Sequence, residues 1–157
     1  MNKPRILIVD DEATFAKMLR FNLEVTGDYE VDCEHDSANV VPHALQFRPD
    51  LVLLDIVMPG LDGGSVKHQI ESHPKLRNIP IVFVTALVSR EDAGDGLFIE
   101  SGGNCMLPKP IELPHLLQAI ESKLKSKSTT PAPEAAEPVP PVHPEAFPAG
   151  KPSASER

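Results

Sequence analysis

The chain is short of positive charge. Its 15 lysines and arginines stand against 23 aspartates and glutamates, a formal net charge of -8 over 157 residues. A sequence-independent grip on nucleic acid rests on basic side chains that neutralise phosphates, so no nucleic-acid partner is expected. Long hydrophobic runs are missing too. The longest are a few residues, far below the roughly 20 of a membrane span, and no secretory core follows Lys3 and Arg5. Membrane insertion is therefore not expected, and a cytoplasmic location is. The two cysteines, Cys33 and Cys105, have neither metal-ligand spacing nor the density of a secreted scaffold, and read as free, buried thiols. The histidines are scattered, and there is neither a P-loop ending in GK[ST] nor a dinucleotide fingerprint.

What is present suits one globular domain with a tail: 41% hydrophobic and 24% charged residues are ordinary values for a soluble fold. From residue 1 to about 125, apolar runs alternate with stretches of helical period. Strands are expected at 5–9, 29–34, 51–55, 81–85 and 104–107. RILIV, LVLL and IVFV are apolar almost throughout, as central parallel strands covered on both faces require, whereas the alternation in YEVDCE suits an edge. A first helix is expected after the first strand, with Phe15, Met18, Leu19, Asn22 and Leu23 on the apolar side of an amphipathic face and Gly27 as the stop, and a second at about 37–47, beginning at the Ser37 cap and carrying Pro42, a residue that shortens or kinks helices. Further helices follow at 63–73, at 89–101, weakened by Gly94 and Gly96, and at 112–125. Five βα units predict a doubly wound α/β fold with a parallel sheet, whose ligands sit at the C-terminal strand ends.

Residues 126–157 differ abruptly. They hold eight of the 17 prolines and almost no large apolar side chains, so they cannot bury enough surface to offset chain entropy. A disordered Pro-rich tail is expected there, with PVPP and PVHP favouring extended polyproline II segments.

In a parallel sheet of this kind Asp10 and Asp11 follow the first strand, Asp55 ends the third, Thr85 ends the fourth and Lys109 follows the fifth. Taken singly, Asp11 suits a helix cap, Asp55 a turn, Thr85 a strand and Lys109 a solvated surface. Taken together they converge on one rim. Clustered carboxylates repel unless a cation neutralises them, and an all-oxygen set favours a hard ion such as Mg²⁺. Metal, hydroxyl and ammonium around one aspartate are what an acyl phosphate requires.

Residues 5–125 resemble the receiver domain of bacterial two-component response regulators. The likeness is carried by the acidic pair in VDDE, LVLLD followed by IVMPGLDG, VTA at 84–86 and LPKP at 107–110. It implies a flavodoxin-like five-stranded sheet of order 2-1-3-4-5 and phosphorylation of Asp55. It implies Mg²⁺ held by Asp11, Asp55 and the backbone carbonyl of Val57, with Asp10 acting mostly through water. Thr85 with its neighbour Ala86, and Lys109, would contact the phosphoryl group, and the Lys109–Pro110 peptide would be cis. Met58, Pro59, Gly60 and Gly63 match the loop into the third helix. Val57 and Leu87 occupy the positions that flank the path of attacking water and tune dephosphorylation. Met106 stands where the family usually has the Tyr or Phe of its switch, and brings neither ring nor hydroxyl.

The function expected is that of a single-domain response regulator. It takes a phosphoryl group from a sensor histidine kinase or histidine phosphotransfer protein, with Mg²⁺, and signals to a downstream protein target as a monomer or a phosphorylation-dependent dimer. It would be no enzyme beyond its own phosphoryl transfer and dephosphorylation. The alternative is a degenerate receiver that binds partners without phosphorylation. A hydrolase working through an aspartyl phosphate carries a second Asp two residues after the nucleophile, where this chain has Val57.

Overall fold

The computed structural model describes residues 2–87, 91, 99–101 and 104–129. The expected tail from 130 on and most of the helix expected at 89–101 lie outside the described residues. Among those described, six strands form one sheet in the order β2-β1-β3-β4-β6-β5: β1 (Arg5–Val9), β2 (Glu30–Glu34), β3 (Leu51–Leu54), β4 (Ile81–Thr85), β5 (Ile99–Ser101) and β6 (Asn104–Pro108). The first four and β6 are parallel neighbours in the expected flavodoxin-like order. The departure is β5, which occupies the last residues of the expected helix and pairs antiparallel with β6 through Ile99↔Met106 and Ser101↔Asn104. In the sequence the two strands are separated by Gly102 and Gly103.

The apolar strands fill two cores, one on each face. Ile6, Ile8, Leu51, Leu53, Val82 and Val84 point to one, where they meet Ala16, Leu19 and Leu23 of α1 (Ala13–Val25) and Leu116, Ala119 and Ile120 of the C-terminal helix α4 (Leu113–Thr129). Leu7, Val9, Val52, Leu54 and Phe83 point to the other, against α2 (Val40–Phe47) and α3 (Gly63–Ser72). This period of two explains why unbroken hydrophobic runs are needed: every position in a central strand faces a core. Each fully buried Ile or Leu contributes about 2 kcal/mol.

Local details refine the helical readings. On α1 the buried face is Ala16, Leu19 and Leu23, with Met18 47% exposed rather than buried. Helix α2 is preceded by a 3-10 turn (Ser37–Asn39) capped by Asp36, whose side chain accepts from the Ala38 amide, so Ser37 is not the cap. Pro42 falls in the first turn of α2, where its missing N–H would have had no intrahelical partner, and it leaves the helix intact. Arg48 ends α2 in the left-handed conformation, φ 58°, its amide bonded to Ala44 O at 2.8 Å. Helix α4 runs to Thr129, four residues past its expected end. Neither cysteine is in a disulfide; Cys105 is buried and Cys33 half-buried. No helix among the described residues is long and apolar enough to cross a membrane.

His43 fastens α2 to the edge strand. Its Nε2 lies 2.9 Å from Asp32 Oδ2 and its Nδ1 2.7 Å from Glu34 Oε1. A neutral imidazole has one N–H, so only the imidazolium donates both bonds. Burial disfavours that charge, but the two carboxylates outweigh burial and raise the pKa above the usual value of about 6.5. A raised folded pKa contributes stability that is present in full below the unfolded pKa and lost as pH rises through the folded one. The melting temperature of the natural chain is therefore expected to fall relative to that of His43→Gln as pH rises from about 6 to 8.5. Parallel melting curves across that range would show that the imidazolium is not held.

Candidate functional site

The parallel register brings the C-terminal ends of β1, β3, β4 and β6 to one rim. Asp10 extends β1 with its amide on Glu34 O at 3.1 Å, and Asp55 extends β3 with its amide on Val9 O at 2.9 Å. Lys109 follows β6 with its amide on Thr85 O at 2.9 Å. Asp10, Asp55 and Thr85 are buried, while Asp11 is exposed. One carboxylate oxygen from each of Asp10, Asp11 and Asp55 lies within 4.8 Å of the others. At an effective dielectric of about 20, each such pair repels by about 4 kcal/mol.

Among the described residues, one cation answers this charge. Lys109 Nζ donates to Asp10 Oδ2 at 2.9 Å and to Glu12 Oε1 at 3.3 Å, and stands 3.6 Å from Asp55 Oδ2. Burial alone would lower the lysine pKa, but the carboxylates of Asp10, Asp55 and Glu12 raise it, so the side chain is an ammonium. For Asp55 the balance runs the other way. Burial, followed by the Asp10 charge, raises its pKa, and Lys109 offsets only part of this. Among the described residues, one ammonium against four carboxylates leaves the rim negative. Its free oxygens suit a hard divalent cation such as Mg²⁺, which needs few protein ligands because it keeps several waters.

The local chain explains why these groups are free for chemistry. Asp11 does not cap α1: the N-cap is Glu12, and no side chain caps it. Instead Asp10 Oδ1 accepts from the Glu12 amide at 2.8 Å, which turns the chain out of β1 and leaves the Asp11 carboxylate at the rim. After Asp55, the Val57 amide donates to Asp55 Oδ1 at 3.3 Å and the Gly63 amide to Ile56 O at 2.7 Å. Gly63 is obligatory, since a Cβ there would stand 2.5 Å from Asp55 O. Asp62 caps α3 through the Ser65 amide at 2.8 Å. On the far side the Leu87 amide donates to Thr85 Oγ1 at 3.1 Å. Ala86 and Leu87 are exposed, as is Val57. The Lys109–Pro110 peptide is cis, with Pro110 exposed. Met106 is half-buried against the core that contains Phe83, so its thioether fills the sheet face on the α2 and α3 side.

Glu12 and Phe15 were not legible as site neighbours. Glu12 shares the Lys109 ammonium, and the Phe15 ring centroid lies 4.3 Å from Lys109 Nζ. The VDDE run offered Glu12 as a charge, but nothing local in the sequence points to a lysine 97 residues away.

Residues 6–121 match the family model of the response regulator receiver domain. The chain belongs to the response regulator receiver family. Response regulator PleD of Caulobacter vibrioides is 37% identical over 123 residues, which cover 78% of this chain and 26% of PleD. The DNA-binding dual master transcriptional regulator RpaA of Synechocystis is 32% identical over 128 residues, covering 82% of this chain and 52% of RpaA. This chain thus spans a quarter to a half of these curated relatives, and the match falls on a receiver rather than on a whole regulator. Among solved structures, the signal receiver domain of a histidine kinase from Syntrophus aciditrophicus is 30% identical with a TM-score of 0.66, covering 85% of this chain and 99% of that one.

Proposed function

We propose that this receiver is a phosphoacceptor, with Asp55 as the aspartate that takes the phosphoryl group. The observation that carries the reading is the placement of Asp55, 6% exposed, beside Asp10 and 3.6 Å from the Lys109 ammonium, on a rim that ends with Thr85. An Asp55 oxygen attacks phosphorus as the bond to the donor breaks. With a phosphohistidine donor, on a sensor kinase or phosphotransfer protein, the electron pair leaves with the imidazole nitrogen, which takes up a proton. Lys109 pairs with the phosphoryl oxygens, and the Thr85 hydroxyl and Ala86 amide act as further donors.

The residues present fit Mg²⁺. Asp11, Asp55 and the Val57 carbonyl would hold it, with Asp10 acting through water, and bound there it would neutralise charge developing on the phosphoryl oxygens. Output runs to a downstream protein, and Met106 in place of an aromatic ring makes the rearranged packing around it aliphatic. The deciding experiment incubates the chain with a small phosphodonor and Mg²⁺ and measures intact mass. One added phosphoryl group, absent in Asp55→Asn and absent with chelator, is the expected result. A phosphoryl group that persists on Asp55→Asn refutes the assignment.

A further inference from the structure

Four polar or charged residues are buried among those described: Asp10, Asp55, Thr85 and Ser37. The first three form the candidate site, and Ser37, 4% exposed, stands apart from it. Its hydroxyl is engaged in both directions, donating to Pro59 O at 3.2 Å and accepting from the Leu61 amide at 3.0 Å. Both partners belong to the loop that leads from Asp55 into α3. Between them Gly60 holds φ +83°, and a Cβ there would stand 3.2 Å from Ser37 Oγ. The other anchor of the loop is internal, the Gly63 amide on Ile56 O at 2.7 Å. Val57 lies between Asp55 and these anchors, its amide on the aspartate.

We propose that Ser37 is a positioning residue for the metal: its hydroxyl clasps the loop at Pro59 and Leu61 and so steadies the backbone that carries the Val57 carbonyl, which would be a ligand of the cation. The proposal rests on the phosphoacceptor reading for its metal. Without the hydroxyl, the Pro59 carbonyl and the Leu61 amide lose a buried partner, and the loop is released to conformations in which both reach water. Apparent metal affinity then falls in proportion to the time the loop spends in the competent conformation. Alanine at this position leaves the start of α2 in place, because the 3-10 turn is capped by Asp36 and not by Ser37.

The test uses the full chain without phosphodonor. Mg²⁺ is titrated by calorimetry into the natural protein, Ser37→Ala and Ser37→Thr, and amide exchange is followed by mass spectrometry without metal. Ser37→Ala is expected to weaken Mg²⁺ binding about fivefold, the effect of losing one such hydrogen bond. Exchange should quicken at 57–63 while the amides of β1 and β3 keep their protection, and Ser37→Thr should restore both properties. Should the threonine variant fail to fold, the alanine pair of measurements decides alone. Unchanged Mg²⁺ affinity in Ser37→Ala overturns the proposal, as does faster exchange spread evenly over the strands or a natural chain that takes up no Mg²⁺. Mg²⁺ binding that depends on Ser37 in a chain that never gains phosphate on Asp55 would instead refute the phosphoacceptor reading and leave the clasp standing.

Discussion

Lys109→Met is expected to melt about 10 °C below the natural chain at pH 7 in the absence of divalent cations. Methionine keeps a straight stem of similar length and removes only the ammonium. That ammonium stands 2.9 Å from Asp10, 3.3 Å from Glu12 and 3.6 Å from Asp55, and its side chain is 13% exposed. Removing one partner of a buried ion pair leaves the other uncompensated, at about 3 kcal/mol, which for a domain of this size corresponds to a shift of roughly 10 °C. The sign of the pH dependence follows from Asp55. Its pKa is already raised by burial and by Asp10, so the folded state binds its proton more tightly than the unfolded chain does. The destabilisation it causes is absent below the unfolded carboxylate pKa and grows as pH rises through the folded one. The deficit of the variant should therefore shrink as pH falls toward the carboxylate range. Millimolar Mg²⁺ should also shrink it, since a ligand bound by the folded state alone stabilises that state. Thermal melts at several pH values, with and without Mg²⁺, measure both. A deficit independent of pH and metal would mean that Lys109 acts through its aliphatic stem, and no deficit would mean that the carboxylates relax into water.

The same rim shows what a sequence can and cannot disclose. Asp10, Asp55, Thr85 and Lys109 are legible because each ends an apolar run, and a run covered on both faces is legible as a central parallel strand. Ligand groups in such sheets collect at the C-terminal strand ends, so locating the strands locates the rim. The strand at Ile99–Ser101 was not legible, because three residues beside glycines carry no period of their own and its pairing depends on β6 folding back. The inner face of α1 was misjudged at Met18, since two overlapping stripes of the helix are apolar and only packing against the sheet selects Ala16, Leu19 and Leu23. Ser37 read as a helix cap for the reason that serine is common there, yet it serves a loop 22 residues away. Local chemistry was legible, and tertiary hydrogen bonds were not.

Replacing Val57 and Leu87 together, with Asn and Glu, is expected to shorten the lifetime of the phosphorylated protein tenfold or more. The reading rests on the receiver resemblance, which places these residues beside the path of water to the acyl phosphate. Two features of the fold support it. Val57 is 59% exposed and Leu87 65% exposed, so both side chains stand at the surface where water reaches the rim. Their amides bond Asp55 Oδ1 and Thr85 Oγ1, so one side chain springs from backbone on the proposed phosphoacceptor and the other from backbone on its rim neighbour Thr85. Neither isopropyl nor isobutyl can accept a proton from water or hydrogen-bond it into line, and both can cover the phosphorus. Asn and Glu supply hydrogen-bonding groups, and a carboxylate able to orient or deprotonate water commonly contributes a hundredfold or more where alignment is good. The added Glu also brings negative charge to a negative rim and slows loading, so the quantity to measure is decay after the phosphodonor is removed, by intact mass with Mg²⁺ present. Loss of phosphate from the natural chain within seconds, or equal decay of the two proteins, would place control of water elsewhere on the rim, with Lys109 and Thr85 the next residues to vary.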